Sequence, residues 1–155
     1  MSEIIKENKQ APSFNLPRDG GGKINSEDLK GKNIVLYFYP KDDTPGCTTE
    51  GKDFTAHYDE FQKLNTEIIG VSKDSVKSHD KFVCKYDFKF PLISDEELEL
   101  CNKYGVWLEK AMYGKKYMGI ERSTFLIDDK GIIKKIWRKV KVTDHVKEVL
   151  AELSS

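Results

Sequence analysis

Residues 34–47 read IVLYFYPKDDTPGC and join a strand to a helix. The apolar run at residues 34–39 is typical of a buried strand. Thr44 has the residue type of a helix N-cap, and Pro45 that of the first helical position. Cys47 then falls in the first helical turn, next to backbone N–H groups without a partner in the helix. A lone cysteine is commonly an inert buried side chain, but the positive end of the helix dipole favours a thiolate here.

The composition is that of an ordinary globular domain. A chain of 155 residues is long enough for one hydrophobic core, so we expect a single domain over residues 1–155. Lysine plus arginine and aspartate plus glutamate number 26 each, which leaves no net field to attract nucleic acid. No apolar run is long enough for a membrane span, and the N-terminus lacks the pattern of a signal peptide. The sequence predicts a cytoplasmic protein that binds neither nucleic acid nor membrane.

The three cysteines stand at Cys47, Cys84 and Cys101 and form no Cys-x-x-Cys pair. Their odd number and wide spacing fit neither a zinc site nor a disulfide-stapled secreted fold. Free thiols in a reducing compartment fit better, one of them reactive. The histidines follow no metal-ligand spacing, so we expect no metal; they are His57, His79 and His145.

The periodicity of the chain predicts strands alternating with helices. Residues 12–16 form a short strand before a turn with three glycines. No Gly-Lys-Ser/Thr arrangement opens a helix behind this strand, as a phosphate loop requires, so we expect a hairpin tip. Apolar residues recur at steps of three and four from Cys47 to Leu64, which predicts one helix with one buried face. The later elements are a strand at 66–71, a helix at 75–87, a helix opened by a capping box at Ser94–Glu97 and ending near 104–105, a hairpin of strands 123–128 and 132–138, and a helix at 142–153. This order suits an α/β fold with a central mixed sheet flanked by helices.

Two longer stretches carry a family resemblance. Residues 37–50 read YFYPKDDTPGCTTE and contain Pro-x-x-x-Thr-x-x-Cys, while residues 121–128 read ERSTFLID; a last helix closes the chain soon after His145. From about Ala11 to Leu153 the chain resembles the peroxiredoxins, in the branch of the bacterioferritin comigratory protein and peroxiredoxin Q. The resemblance implies a thioredoxin-like fold. It also implies a thiol peroxidase for hydrogen peroxide and organic hydroperoxides that needs no cofactor, because sulfur carries the electrons.

The same resemblance implies roles for four residues around Cys47. Arg122 is the catalytic arginine that stabilises the negative charge on the peroxide oxygens, and Glu50 holds it in place. The hydroxyl of Thr44 hydrogen-bonds the peroxide or the thiolate, and Pro40 shields the sulfur from water. Each has a simpler interpretation. Arg122 could be an ordinary ion-pair arginine and Glu50 a first-turn acid, while Thr44 could be a plain N-cap and Pro40 the end of a strand.

After attack, Cys47 is a sulfenic acid that a second thiol must resolve before it is oxidised further. The commonest pattern of the family places that cysteine five residues after the first, where this chain has Lys52. Cys84, Cys101 and an external thiol remain. At about 100° per residue Cys84 points away from the apolar arc of its helix, whereas Cys101 shares a face with core residues. A subset of the family resolves through a cysteine on this helix, so the resemblance implies Cys84 and an intramolecular Cys47–Cys84 disulfide.

The resemblance also implies the partners. Thioredoxin or a similar dithiol reductant reduces the disulfide, and the protein is a monomer. Two alternatives stay open: a one-cysteine peroxidase resolved by an external thiol, and a peroxide sensor or relay that passes its oxidised state to another protein. A disulfide reductase is disfavoured because it needs Cys-x-x-Cys.

Overall fold

The computed structural model describes residues 5–155. In chain order the strands are β1 (Asn15–Pro17), β2 (Lys23–Asn25), β3 (Asn33–Phe38), β4 (Thr66–Ser72), β5 (Leu92–Ser94), β6 (Trp107–Met112), β7 (Lys115–Ile120), β8 (Ser123–Ile127) and β9 (Ile133–Trp137). The helices are α1 (Pro45–Ala56), α2 (Tyr58–Lys63), α3 (Val76–Tyr86), α4 (Glu99–Lys103) and α5 (His145–Ser154), with a 3₁₀ turn at Ser26–Leu29.

The central sheet has five strands in the order β5-β4-β3-β8-β9. β3 is parallel to β4 and antiparallel to β8, which confirms the expected mixed sheet. Alternate residues of β3 enter two different hydrophobic clusters, one on each face: Leu36 belongs to the first and Tyr37 to the second. The second cluster also takes side chains from α1, α2, α3 and α5 and contains Cys47. Cys47 thus lies on the face of the sheet that these four helices cover.

The single helix predicted from Cys47 to Leu64 is in fact two helices. The backbone of His57 leaves helical geometry, with φ −103° and ψ 10°, and separates α1 from α2. Phe54 and Phe61 lie on opposite sides of this break, yet both are buried and their ring centroids are 5.8 Å apart. The apolar period continues across the break because both helices bury the same side, so the periodicity does not reveal the break.

The predicted capping box at Ser94–Glu97 is wrong. Ser94 ends β5, paired with Ser72, and the short helix α4 begins only at Glu99. The carboxylate of Asp95 instead accepts the backbone N–H groups of Leu100 and Cys101, at 3.1 and 2.8 Å. An acidic residue still caps the helix, but from farther back along the chain.

Other boundaries differ less. α5 begins at His145 rather than at 142, because residues 142–144 form a turn in which the His145 N–H bonds the Val142 carbonyl at 3.1 Å. The two glycine-linked strands β1 and β2 pair antiparallel, as the hairpin interpretation predicted. Within residues 5–155, none of the helices combines the length and the apolar character needed to cross a membrane.

The hairpin of β6 and β7 was not predicted from the sequence. It forms a separate two-stranded sheet in which Lys110 pairs with Tyr117 and Leu108 with Gly119. Among the described residues, the exposed large apolar side chains all belong to this hairpin: Leu108, Met112, Tyr113, Tyr117 and Met118.

Candidate active site

Cys47 lies in the helix that follows the central strand β3. β3 ends at Phe38, a short loop follows, and Cys47 is the third residue of α1. The side chain is buried, with 2% of the residue exposed, in the cluster that also holds Tyr37 and Tyr39. Since the first N–H groups of α1 have no carbonyl partner in the helix, the sulfur sits in a positive field at its start.

Arg122 supplies a second positive group to the sulfur. It stands just before β8, and its Nη2 donates a hydrogen bond to Cys47 Sγ at 3.3 Å. Its Nη1 donates to Glu50 Oε1 at 2.6 Å. Gly46 leaves room for this contact, because a Cβ at that position would lie 3.1 Å from Arg122 Nη2. The guanidinium therefore bridges the sulfur and a carboxylate that both belong to α1.

Glu50 is buried one turn beyond Cys47, and its side chain is fully inaccessible. Within residues 5–155 its Oε2 is a buried polar atom without a hydrogen-bond partner. Burial raises the pKa of Glu50 to about 7, against the opposing effect of the Arg122 charge. Burial alone would lower the pKa of Arg122, but Glu50 and Cys47 together raise it, so the guanidinium stays charged.

Thr44 occupies the N-cap position of α1 with extended backbone, but its hydroxyl makes no cap hydrogen bond. Thr44 Oγ1 donates instead to the carbonyl of Lys41 at 2.9 Å. Its single hydrogen is thus used within the loop, and the oxygen remains able to accept a hydrogen bond. Pro40 is half-buried, two residues past the end of β3.

Lys110 lies on β6, and no sequence pattern indicated a place for it near the site. Its side chain runs along β7, since a Cβ on Gly119 would lie 3.2 Å from Lys110 Cδ. Burial and then the charge of Arg122 lower the pKa of Lys110, with Cys47 acting in the opposite direction. β7 ends at Ile120, two residues before Arg122, so the β6–β7 hairpin joins the chain next to the site. The sequence could have indicated Lys110 only through a prediction of the β6–β7 hairpin.

The other two cysteines lie in contrasting surroundings, as the helical geometry predicted. Cys84 is an exposed free thiol near the end of α3, whereas Cys101 is a free thiol buried in α4. Burial, and then the nearby Asp95 carboxylate, raise the pKa of the Cys101 thiol. A thiol held in its protonated form inside the core is a poor nucleophile.

His145 is buried at the start of α5, and its Nε2 is 2.8 Å from Thr124 Oγ1. Burial and the Arg122 charge lower the pKa of His145 to about 4. Because the unfolded chain takes up this proton near pH 6.5, the folded state loses stability as the pH falls from 6.5 to 4.

We expect that loss to be on the order of 3 kcal/mol and absent from His145→Gln. Urea denaturation of the reduced protein between pH 6.5 and 4 measures it, as the difference between the wild type and the variant. His57→Gln, at a more exposed histidine, is the control, and its free energy of unfolding changes with pH as in the wild type. If the free energy of unfolding of His145→Gln also changes with pH as in the wild type, this assignment is wrong.

Comparison with known proteins places this geometry in a family. Residues 8–136 match the family model described as the AhpC/TSA family. Peroxiredoxin Bcp of Bacillus subtilis is 52% identical over 149 residues, which span 96% of this chain and 95% of that protein. Peroxiredoxin Bcp of Xanthomonas campestris is 52% identical over 147 residues, spanning 94% and 92%. The chain belongs to the AhpC/TSA family. It is a peroxiredoxin of the Bcp branch.

Solved structures agree with this assignment. The Xanthomonas campestris bacterioferritin comigratory protein, studied for its alkyl peroxide reduction activity, superposes with a TM-score of 0.87 at 51% identity over 91% of this chain and 90% of that chain. A Xylella fastidiosa PrxQ mutant superposes with a TM-score of 0.93 at 41% identity, covering 99% and 98%. The thioredoxin-like peroxiredoxin fold is thereby confirmed, and this peroxiredoxin is a thiol peroxidase.

Proposed function

We propose that this peroxiredoxin reduces peroxides with Cys47, resolves the product with Cys84 and is recycled by an external dithiol such as thioredoxin. The observation that carries the proposal is the Arg122 guanidinium, which donates to Cys47 Sγ and is fixed by Glu50. It stabilises a thiolate and also provides donors for the oxygens of a bound peroxide.

In the first step the Cys47 thiolate attacks one peroxide oxygen, and the O–O bond breaks. The electron pair goes to the departing oxygen, which takes up a proton and leaves as water or an alcohol. Cys47 becomes a sulfenic acid. Arg122 stabilises the charge on the departing oxygen, while Thr44 Oγ1, whose own hydrogen goes to the Lys41 carbonyl, accepts the O–H of the peroxide. Pro40 shields the sulfur on the loop side.

In the second step the Cys84 sulfur displaces the hydroxyl of the sulfenic acid, and water is released. Lys52, exposed on α1, stands where the short route to resolution would need a thiol. Cys101 is buried in the opposite cluster from Cys47. Cys84 is exposed near the end of a helix, where local unwinding costs least.

Reduction of the disulfide by exchange with a dithiol completes the cycle. We also propose a cytoplasmic location, because the thioredoxin and glutathione systems of the cytoplasm keep an exposed thiol such as Cys84 reduced. We also propose that the protein works as a monomer, because both cysteines that it needs belong to one chain.

Cys84→Ser tests the resolving role. We expect the first oxidation to be unchanged, turnover with thioredoxin to be lost and Cys47 to accumulate as sulfinic acid, because no internal thiol reaches the sulfenic acid. Peroxide consumption coupled to thioredoxin, with mass spectrometry of the product, measures all three. Cys101→Ser is the matched control and cycles normally. Normal thioredoxin-supported turnover of Cys84→Ser favours an external thiol instead.

The β6–β7 hairpin supports organic hydroperoxides as substrates. Leu108, Lys110 and Met112 alternate onto one face of β6, and Tyr117 lies opposite Lys110 on the same face. Because β7 ends two residues before Arg122, we propose that these exposed apolar side chains flank the approach to Cys47.

We expect Tyr117→Ser to lower kcat/KM for cumene hydroperoxide by roughly tenfold, as loss of partial apolar burial predicts. The value for hydrogen peroxide stays within about twofold. Met118→Ser is the control, because its side chain is similarly exposed but points to the opposite face. Equal losses for both peroxides, or for both variants, contradict a substrate-facing role.

A further inference from the structure

Two neighbouring aspartates tie the loop before Cys47 to the helix that carries Cys84. The first, Asp42, is nearly inaccessible, with 5% of its side chain exposed. Its carboxylate accepts hydrogen bonds from Tyr39 Oη at 2.6 Å, Ser78 Oγ at 2.7 Å and His79 Nδ1 at 2.7 Å. The other ring nitrogen of His79 donates to the Ile93 carbonyl at 2.8 Å.

These contacts fix the charge of His79. Both of its ring nitrogens face acceptors, a carboxylate and a carbonyl, so both must carry a proton. Burial alone would lower the pKa of His79, but Asp42 raises it. The first turn of α3 is therefore held to the loop by a buried ion pair, and removing one partner of such a pair is strongly destabilising.

The second aspartate, Asp43, makes a similar but exposed link. Its carboxylate accepts hydrogen bonds from Lys85 Nζ at 2.8 Å and Tyr86 Oη at 2.7 Å. Those two residues directly follow Cys84 in α3. The side chains of Asp43 and Lys85 are 45% and 57% exposed, so water and salt weaken this ion pair.

Past the end of α3 the chain is held again by apolar contacts. The ring of Phe88 lies against the backbone of Gly51, where a Cβ would clash with Phe88 Cζ. Phe88 also stacks on Phe90 with centroids 5.5 Å apart. Residues 83–87 thus lie between buried side chains at His79 and Phe82 on one side and Phe88 on the other, and the Tyr86 ring packs against Phe82 and Phe88. Their polar contacts to the loop before Cys47 are those that Asp43 accepts.

We propose that Asp43 is a latch, bonded to Lys85 and Tyr86, that holds Cys84 in α3 and sets the rate at which the Cys47 sulfenic acid is resolved. The Asp42–His79 pair is the fixed pivot beside it. The latch rests on the proposed role of Cys84. Opening it adds no reactant: the sulfenic acid and the Cys84 thiol still give one disulfide and one water.

The double variant Lys85→Met, Tyr86→Phe tests the latch while Asp43 and the loop stay intact. We expect an unchanged rate of the first oxidation and resolution roughly three- to tenfold faster, because one exposed ion pair and one hydrogen bond no longer oppose unwinding. The peroxide concentration that leaves half of Cys47 as sulfinic acid rises by the same factor. Added salt speeds resolution in the wild type and not in the variant.

Lys81→Met is the matched control, since Lys81 is exposed on α3 one turn before Lys85. It resolves at the wild-type rate. If the Cys47–Cys84 disulfide forms but the double variant also resolves at the wild-type rate, the latch is wrong and the proposed function stands. If no such disulfide forms, both are wrong.

Amide hydrogen exchange tests the pivot. In the disulfide form of the wild type we expect faster exchange at residues 83–87 than in the reduced form, with residues 77–80 still protected. His79→Gln extends the fast exchange to 77–80. Fast exchange at 77–80 in the oxidised wild type overturns the division of α3 into a pivot and a latched end, whether or not His79→Gln folds.

Discussion

Cys47→Ser abolishes peroxide reduction and leaves the fold intact. The serine hydroxyl fills nearly the same buried volume beside Arg122, but it stays protonated near neutral pH and cannot act as the attacking anion. Peroxide consumption with a dithiol reductant measures the loss, and circular dichroism measures the fold. Residual turnover within tenfold of the wild type, with a native spectrum, would remove Cys47 from the role proposed here.

Cys101→Ser is the control for that experiment. Cys101 is as buried as Cys47, but its carboxylate neighbour Asp95 opposes ionisation, whereas the neighbour of Cys47 is a guanidinium. We expect the variant to keep full activity. The contrast separates loss of a nucleophile from loss of a buried thiol.

Arg122→Met slows attack on peroxide by about 10²- to 10³-fold, the usual cost of removing one donor from a developing negative charge. Arg122→Lys is also slow, because one ammonium does not reproduce the planar donors that reach Cys47 and Glu50 together. Stopped-flow measurement of the first oxidation step gives the rate.

Arg138→Met is the matched control. Its guanidinium carbon lies 5.5 Å from the ring centroid of Phe125, in the other hydrophobic cluster from Cys47. We expect it to react with peroxide at the wild-type rate. An Arg122→Lys rate equal to that of the wild type would contradict the assignment of Arg122.

The sequence predicts this site well where short-range patterns determine it. A buried strand, a loop and Thr44-Pro45 place Cys47 at a helix start, because N-terminal helix signals act within a few residues. The exposures of Cys84 and Cys101 follow from angular positions around the helix that carries each of them. The pairing of Arg122 with Cys47, 75 positions earlier in the chain, came only from the family resemblance.

Other features depend on contacts that no local pattern shows. The break at His57 is hidden because α1 and α2 bury the same side. The β6–β7 hairpin stands apart from the central sheet, and one face of β6 mixes Lys110 with Leu108 and Met112, so neither strand alternates clearly between apolar and polar residues. The Asp42–His79 pair joins residues 37 positions apart. Such pairs become visible only when the fold brings the loop and α3 together.

The most direct test of the two-cysteine mechanism is a peptide mass map of the protein after one equivalent of hydrogen peroxide. Free thiols are alkylated first, and digestion is carried out without reductant. We predict one intrachain disulfide between the peptides of Cys47 and Cys84, with Cys101 alkylated. A Cys47 sulfenic or sulfinic acid beside a fully alkylated Cys84, a disulfide to Cys101, or a disulfide between two chains would contradict the account.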